Sequence, residues 1–207
     1  MSAYLLIWSP KKWPWPELPD FARRVQAGET VTDTWGCGFA RGILPGDRVF
    51  VHRVAAEPRG LFGSGYVLRG PYEVPDAAYK RGYRLCIDFV YDWLVDANSE
   101  VVIGRDALRA HPWSVQTWDA QSSGTAIKPV ALGALEKRWA ELTGKRPMPA
   151  VAVAAMHAAE NARIAQAQQA EEAEKAEKAE KAKQKAPRKT TAASRRKTSR
   201  STAGSAT

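Results

Sequence analysis

Residues 116–124 read Gln-Thr-Trp-Asp-Ala-Gln-Ser-Ser-Gly, which sets a large flat π-surface beside amides, hydroxyls and a glycine. Trp118 can stack on a planar ring. Gln116, Gln121, Ser122 and Ser123 offer donors and acceptors to that ring's edge, and Gly124 lets backbone approach it. That is chemistry for holding a nucleobase. Cutting one needs an activated nucleophile or a metal, and neither pattern is present. His52, His111 and His157 are scattered, with no Ser-His-Asp order, Walker loop or His-Glu-x-x-His helix. Cys37 and Cys86 have no Cys or His nearby in sequence, so they read as two buried thiols of a reducing cytoplasm. No catalytic residue, metal or cofactor is expected.

The chain has 207 residues and eight tryptophans, more than a core of this volume requires. Trp8, Trp93 and Trp139 fall on apolar faces and are assigned to the core. Trp13 and Trp15 flank prolines in a loop that either lines a groove or clamps the domain. Trp35 precedes Gly36-Cys37-Gly38, small neighbours that push a bulky ring toward solvent. Trp35 and Trp118 are therefore the two rings expected to face a ligand.

Positioning them falls to short elements. Ala3–Trp8 is an apolar run stopped by Pro10, a buried strand. Asp20 is expected to cap a helix running through Gln26, which Gly28 ends. Thr30–Trp35, Arg48–Val54 and Leu61–Leu68 read as strands, the last with glycines at 63 and 65 that mark a bulge or a bend. The clearest strand is Tyr83–Trp93, where alternate residues from Tyr83 to Trp93 are apolar and Arg84, Asp88 and Asp92 take the other face. Gly104–Ala110 reads as a short helix and Ser123–Ile127 as a last strand. Pro129 then opens a helix with Leu135, Trp139 and Leu142 on one side, and Gly144 ends it. Five or six strands with short flanking helices predict an α+β domain, a small curved β-barrel.

Charge is unevenly spread. Residues 1–160 carry 19 Lys+Arg against 17 Asp+Glu, whereas residues 161–207 carry 12 against 5. The segment 171–183 repeats Glu-Lys-Ala, and Glu171/Lys175, Glu174/Lys178 and Glu177/Lys181 stand at i, i+4, each worth about 0.2–0.5 kcal/mol to a helix. The expected organisation is a folded domain over 1–146, a helical spacer over 147–184 and a disordered basic tail over 185–207. Lys185, Arg188, Lys189, Arg195, Arg196, Lys197 and Arg200 would bind phosphate without reading sequence. No apolar stretch approaches 18 residues and no leader is read at the N-terminus, so no membrane association is expected.

The order of these segments resembles EVE domains of the PUA-like superfamily, over about residues 3–143. Tyr4-Leu-Leu-Ile-Trp8 looks like the opening strand, Trp35 stands at the pocket loop, and Pro45-Gly-Asp-Arg-Val-Phe50 is similar to the Gly-Asp turn. Arg59-Gly-Leu-Phe-Gly-Ser-Gly-Tyr-Val67 resembles the following strand. Trp118-Asp-Ala-Gln-Ser-Ser-Gly124 looks most like EVE-like domains associated with HNH restriction nucleases. The resemblance implies a PUA-like barrel and a non-catalytic reader of a modified base, a 5-substituted cytosine such as 5-methylcytosine or 5-hydroxymethylcytosine, flipped out of DNA. Its pocket loop brings Cys37 and Phe39 beside Trp35, although Gly36-Cys37-Gly38-Phe39-Ala40 departs from the common Gly-Val-Arg-Asn. Arg41, Arg53 and Lys128 are the domain's candidate phosphate contacts. A separate nuclease or helicase would supply any cutting in restriction or phage defence, and the expected location is the cytoplasm, at the nucleoid. The rival readings are a PUA-type RNA-binding protein and a nucleoid-type architectural protein.

Overall fold

The computed structural model describes residues 2–184, in two compact units divided between residues 164 and 165. The elements of the first unit run β1 (Ala3–Trp8), α1 (Leu18–Gln26), β2 (Thr32–Gly36), β3 (Arg48–Arg53), β4 (Gly60–Pro75), β5 (Tyr83–Leu94), β6 (Ile103–Gly104), α2 (Arg105–Leu108), β7 (Thr125–Ala126) and α3 (Pro129–Thr143). A last helix, α4 (Ala150–Gln184), begins in the first unit and forms the described part of the second.

The seven strands form one mixed sheet in the order β2-β5-β4-β3-β1-β7, with β6 pairing β4 off that path. Among the described residues only β1 and β3 run parallel, from Ala3 opposite Arg48 to Trp8 opposite Arg53. The expected curved barrel is not there: β2 and β7 are the two ends, and the sheet neither closes nor curls strongly. The reason is local. Strand β7 has two residues, and its outer edge is occupied by a side chain. Gln116 Nε2 donates to the Ala126 carbonyl at 3.3 Å, and Gln116 Oε1 accepts the Lys128 N–H at 2.9 Å, satisfying groups that a closing strand would have paired. The strand glycines serve close packing rather than closure. A Cβ on Gly65 would lie 2.2 Å from the Val90 carbonyl oxygen, and one on Gly63 would lie 2.7 Å from Leu94 Cδ1.

Alternation along β1 and β3 makes the sheet the middle of three layers. Leu6, Trp8, Val49 and Val51 face one core with Leu18, Ala22 and Val25 of α1. Leu5 and Phe50 face the other with Leu135 and Trp139 of α3. Trp139 is fully buried, edge-on to Phe50 at 5.3 Å, and burying such a ring is worth roughly 1.5–3 kcal/mol. Strand β5 is therefore covered on both sides rather than wet on one, and Cys86 and Val90 on its polar-looking face are buried. Arg48, with no exposure, anchors α3 to the sheet. Its guanidinium donates to Asp92 at 2.7 Å and to Glu136 at 3.0 Å, and it lies over the Phe50 and Tyr66 rings.

Helix boundaries follow their residues. Gly28 and Glu29 donate back to the carbonyls of Val25 and Arg24, closing α1 with a left-handed glycine at φ +84, and Gly144 at φ +72 closes α3. Glu17, not Asp20, is the N-cap of α1; Asp20 sits inside the first turn, where Pro19 opens the helix. Leu142 lies on the exposed side of α3. Strand β4 runs on past Leu68 to Pro75, and the last strand shrinks to β7. Within α4, Lys175 pairs with Glu171 and Lys178 with Glu174. Among the described residues no helix is long and apolar enough to cross a membrane.

Candidate functional site

The end of β1 turns sharply after Trp8. The Ser9 carbonyl accepts N–H bonds from Lys12 and Trp13 at 3.0 Å each, and the Trp8 indole N–H donates to the Trp13 carbonyl at 3.0 Å. This turn sets Trp13 parallel to Trp15, with ring centres 5.7 Å apart, and inclined at 65° to Trp35 at 5.1 Å. Trp35 is held from behind by Trp15 and Phe89. The result is a corner of two indoles, unequally open: Trp13 is 47% exposed, whereas Trp35, expected to be pushed toward solvent, is 4% exposed and packed into the first core by Trp15 and Phe89.

That corner lines a cleft of about 1070 Å³ whose walls include Ser9, Lys12, Thr34, Tyr79, Gln121 and Ser123. Ser123 fixes the opposite side. Its Oγ accepts the Ile7 N–H at 2.9 Å and the Trp35 indole N–H at 3.3 Å, tying the 119–124 loop to β1 and to the ring. Gln121 is exposed and its amide has no hydrogen-bond partner among the described residues, so all of its donors and acceptors remain for a ligand. Ala55, also on the cleft wall, holds φ +68, a left-handed backbone costing a non-glycine residue about 1–3 kcal/mol.

The electrostatics favour an anion. Lys12, Arg59, Arg84 and Arg105 line the cleft against a single carboxylate, Asp119. Arg105 grips Asp119 through two nitrogens at 2.7 and 3.0 Å, and this hydrogen bonding holds the Asp119 carboxyl below its ordinary range. From beyond the wall Glu57 pairs with Arg59 at 2.9 Å and Asp76 loosely with Arg84 at 3.8 Å, so the net positive field of the cleft rests chiefly on Lys12.

The sequence-predicted site residues separate. Trp35, Gln121 and Ser123 line the cleft, and Ser122 lines a smaller adjoining hollow. Trp118 does not join them. It is buried in the second core with its indole N–H donated to the Trp113 carbonyl at 2.9 Å, and it borders a separate hollow of about 230 Å³. Trp35 and Trp118 thus do not flank one space; the second ring at the cleft is Trp13. Gln116 is consumed at the β7 edge. Cys37 is fully buried, and burial pushes its thiol up to about 11. Phe39 is 83% exposed outside the cleft. Gly124 at φ +82 presses against the Cys37 carbonyl.

The phosphate candidates also divide. Arg53 is unavailable: it is buried over the Trp8 ring and donates to the carbonyls of Ala56, Glu57 and Ala97. Arg41 is exposed, bonded to Glu73 and Tyr83, and Lys128 is exposed with its Nζ on the Val115 carbonyl. Lys185, Arg188, Lys189, Arg195, Arg196, Lys197 and Arg200 lie outside the described residues. The rim residues not anticipated are Ser9, Lys12, Thr34, Arg59, Tyr79, Arg84 and Arg105. Lys11-Lys12-Trp13-Pro14-Trp15, basic residues beside aromatic ones, was a signal for Lys12 alone; the others, Ser9 apart, come from segments distant in sequence. Among the described residues no group of three or more His, Cys, Asp or Glu could hold a metal ion.

Fold and site together define an open mixed sheet, helix-covered on both faces, with an electropositive aromatic cleft at one side. No protein-family model matches the chain, and no curated protein matches it. It is similar to solved structures of low identity. One is Rpa0253 from Rhodopseudomonas palustris, at 18% identity and TM-score 0.46, covering 69% of this chain and 95% of that one. Another is a protein from Leishmania major, at 17% and 0.47, covering 68% and 96%. A third is human THYN1, solved in complex with DNA containing 5-methylcytosine, at 11% and 0.42, covering 65% and 95%.

Proposed function

We propose that the cleft receives a nucleobase turned out of a DNA strand, a 5-substituted cytosine, and that the protein reads this base without cutting it. The observation that carries the reading is the indole corner of Trp13 and Trp35 in a cationic cleft, with the unbonded amide of Gln121 beside it. The choice of cytosine rests on the resemblance to EVE domains. Extruding a base costs a few kcal/mol, and stacking it on an aromatic ring returns about 1–3 kcal/mol. Phosphate contacts from Lys12, Arg59 and Arg84 at the rim, and from the basic arm, offset the remainder. A methyl group in a close-fitting pocket is worth about 1–3 kcal/mol, so preference for 5-methylcytosine over cytosine should be about tens-fold. A hydroxyl or sugar that Gln121 can bond would raise it. Cleavage in a restriction or defence role would fall to a separate nuclease or helicase.

The test is a titration of matched duplexes bearing cytosine, 5-methylcytosine, 5-hydroxymethylcytosine or its glucosylated form. The proteins are wild type, Trp13→Ala and the chain lacking residues 185–207. A reader prefers one duplex by about ten- to a hundredfold, loses that preference in Trp13→Ala, and keeps it without the arm. Arm removal should flatten the log–log salt slope by up to roughly 6, about 0.9 for each phosphate the arm had neutralised. Equal affinity for all four duplexes refutes the reading, and loss of all binding with the arm points to an architectural protein instead.

A further inference from the structure

A second hollow, of about 180 Å³, adjoins the cleft and shares Gly36, Tyr79, Arg84, Gln121 and Ser123 with its wall. To these it adds Gly38, Leu85, Ser122 and the cation Arg81. The Arg81 guanidinium lies 4.7 Å from the centre of the Phe39 ring, 4.9 Å from Tyr83 and 5.5 Å from Tyr79. It is fixed at two points, Nε donating to the Tyr83 carbonyl at 2.8 Å and Nη2 to the Gly38 carbonyl at 3.0 Å.

Phe39 itself is 83% exposed, yet its loop has no slack. Gly38 holds φ +63, and a Cβ there would fall 2.8 Å from the Ser123 carbonyl oxygen; one on Gly124 would fall 2.4 Å from the Cys37 carbonyl oxygen. Ala40 N–H closes the turn on the same Cys37 carbonyl at 3.1 Å. Two close backbone approaches therefore hold an apolar ring in water, beside the cation of the second hollow. The fold gains little from a ring so placed. A guanidinium beside an aromatic ring is a stacking platform for a base, and stacking tolerates any base because each has a π-face.

We infer that Phe39 and Arg81 form a shelf that stacks the nucleotide adjoining the one in the cleft, on the same DNA strand. This rests on the cleft reading above. Phe39 lies outside both walls and meets the second hollow through Arg81, so a strand leaving the cleft along the shared wall reaches the ring at that hollow's border; Arg84, on both walls and 3.8 Å from Asp76 in only a loose pair, stands where the phosphate between the two nucleotides would pass. The cleft then selects the base, while the shelf adds affinity with little preference for the neighbour.

The experiment compares wild type, Phe39→Ala and Phe39→Tyr on single-stranded DNA trinucleotides with a central 5-methylcytosine. The flanking nucleotides are either intact or abasic, and an RNA trinucleotide serves as a further arm. Stacking on an aromatic ring corresponds to about 5- to 150-fold in affinity. Phe39→Ala should lose on that order with intact flanks and nothing with abasic flanks, and Phe39→Tyr should retain wild-type binding. An equal effect of Phe39→Ala on both ligands, or none on either, overturns the shelf. RNA bound as tightly as DNA, with the same Phe39 dependence, overturns the assignment to DNA. Failure of the cleft reading is seen separately: Trp13→Ala would then leave affinity for the central 5-methylcytosine unchanged, whatever Phe39 does.

Discussion

His52 sits in β3 between Ile7 of β1 and Leu61 of β4, with no exposed surface. Neither ring nitrogen has a hydrogen-bond partner among the described residues. Burial pushes its pKa down to about 4 from the ordinary 6.5; Asp119 pulls weakly the other way and Arg105 adds to the fall. The unfolded chain therefore takes a proton at this residue near pH 6.5 and the folded chain only near 4. Stability from the neutral ring is complete above about pH 6.5 and drains away as pH falls toward about 4. At about 1.36 kcal/mol per pH unit the full loss is about 3 kcal/mol, a large share of a typical domain's stability. Urea unfolding of wild type and His52→Leu at several pH values from about 7.5 to about 4 measures it. Leucine fills similar volume without a proton, so the difference between the two proteins should change by about 3 kcal/mol across that range in favour of the variant. Carboxylate titrations, common to both, cancel. Curves that stay parallel would refute the argument and mean that the folded protein accommodates the charged ring.

Two further substitutions test the packing around the site. Gly124→Ala should destabilise by at least about 1–3 kcal/mol, since the new Cβ meets the Cys37 carbonyl at 2.4 Å on a left-handed backbone. Gly133→Ala, on the exposed side of α3 with nothing within 4 Å, should stabilise by about 0.5–1 kcal/mol, and thermal melts of both report the contrast. Arg48→Met should cost about 3–5 kcal/mol at neutral pH, because Asp92 and Glu136 are left without their partner. Burial already pushes the Glu136 carboxyl up, so its protonation in mild acid should recover part of that loss, which denaturant midpoints at the two pH values would show.

The parts of the fold that were legible in sequence are those where one local rule decides. Alternation marked β5, a glycine after the last turn marked the ends of α1 and α3, and Glu–Lys spacing marked the pairs now seen in α4. What was not legible depends on partners distant in sequence. Gly-Pro at 70–71 looks like the end of a strand, yet β4 continues through it, because β5 stays paired as far as Pro75 opposite Tyr83 across shifts in register. Leu142 follows the helical period of Leu135 and Trp139, but the core it would join ends one turn earlier.

The site shows the same division more sharply. A string of amide, indole and hydroxyl groups looks like a binding surface because each group can bond a ligand, but the same groups can bond backbone, and sequence does not say which they meet. Gln116 and Trp118 found carbonyls of their own chain, at Ala126 and Trp113, and became the edge cap and the core ring of an unclosed sheet. Gln121, five residues after Gln116, found none and stayed free at the cleft. Meanwhile Trp13, which the sequence left between lining a groove and clamping the domain, reached the cleft because the Ser9 turn and the Trp8 indole bond hold it there. A loop about 110 residues further along the chain completes the cleft wall through one hydroxyl: Ser123 Oγ bonds both the Ile7 backbone and the Trp35 ring.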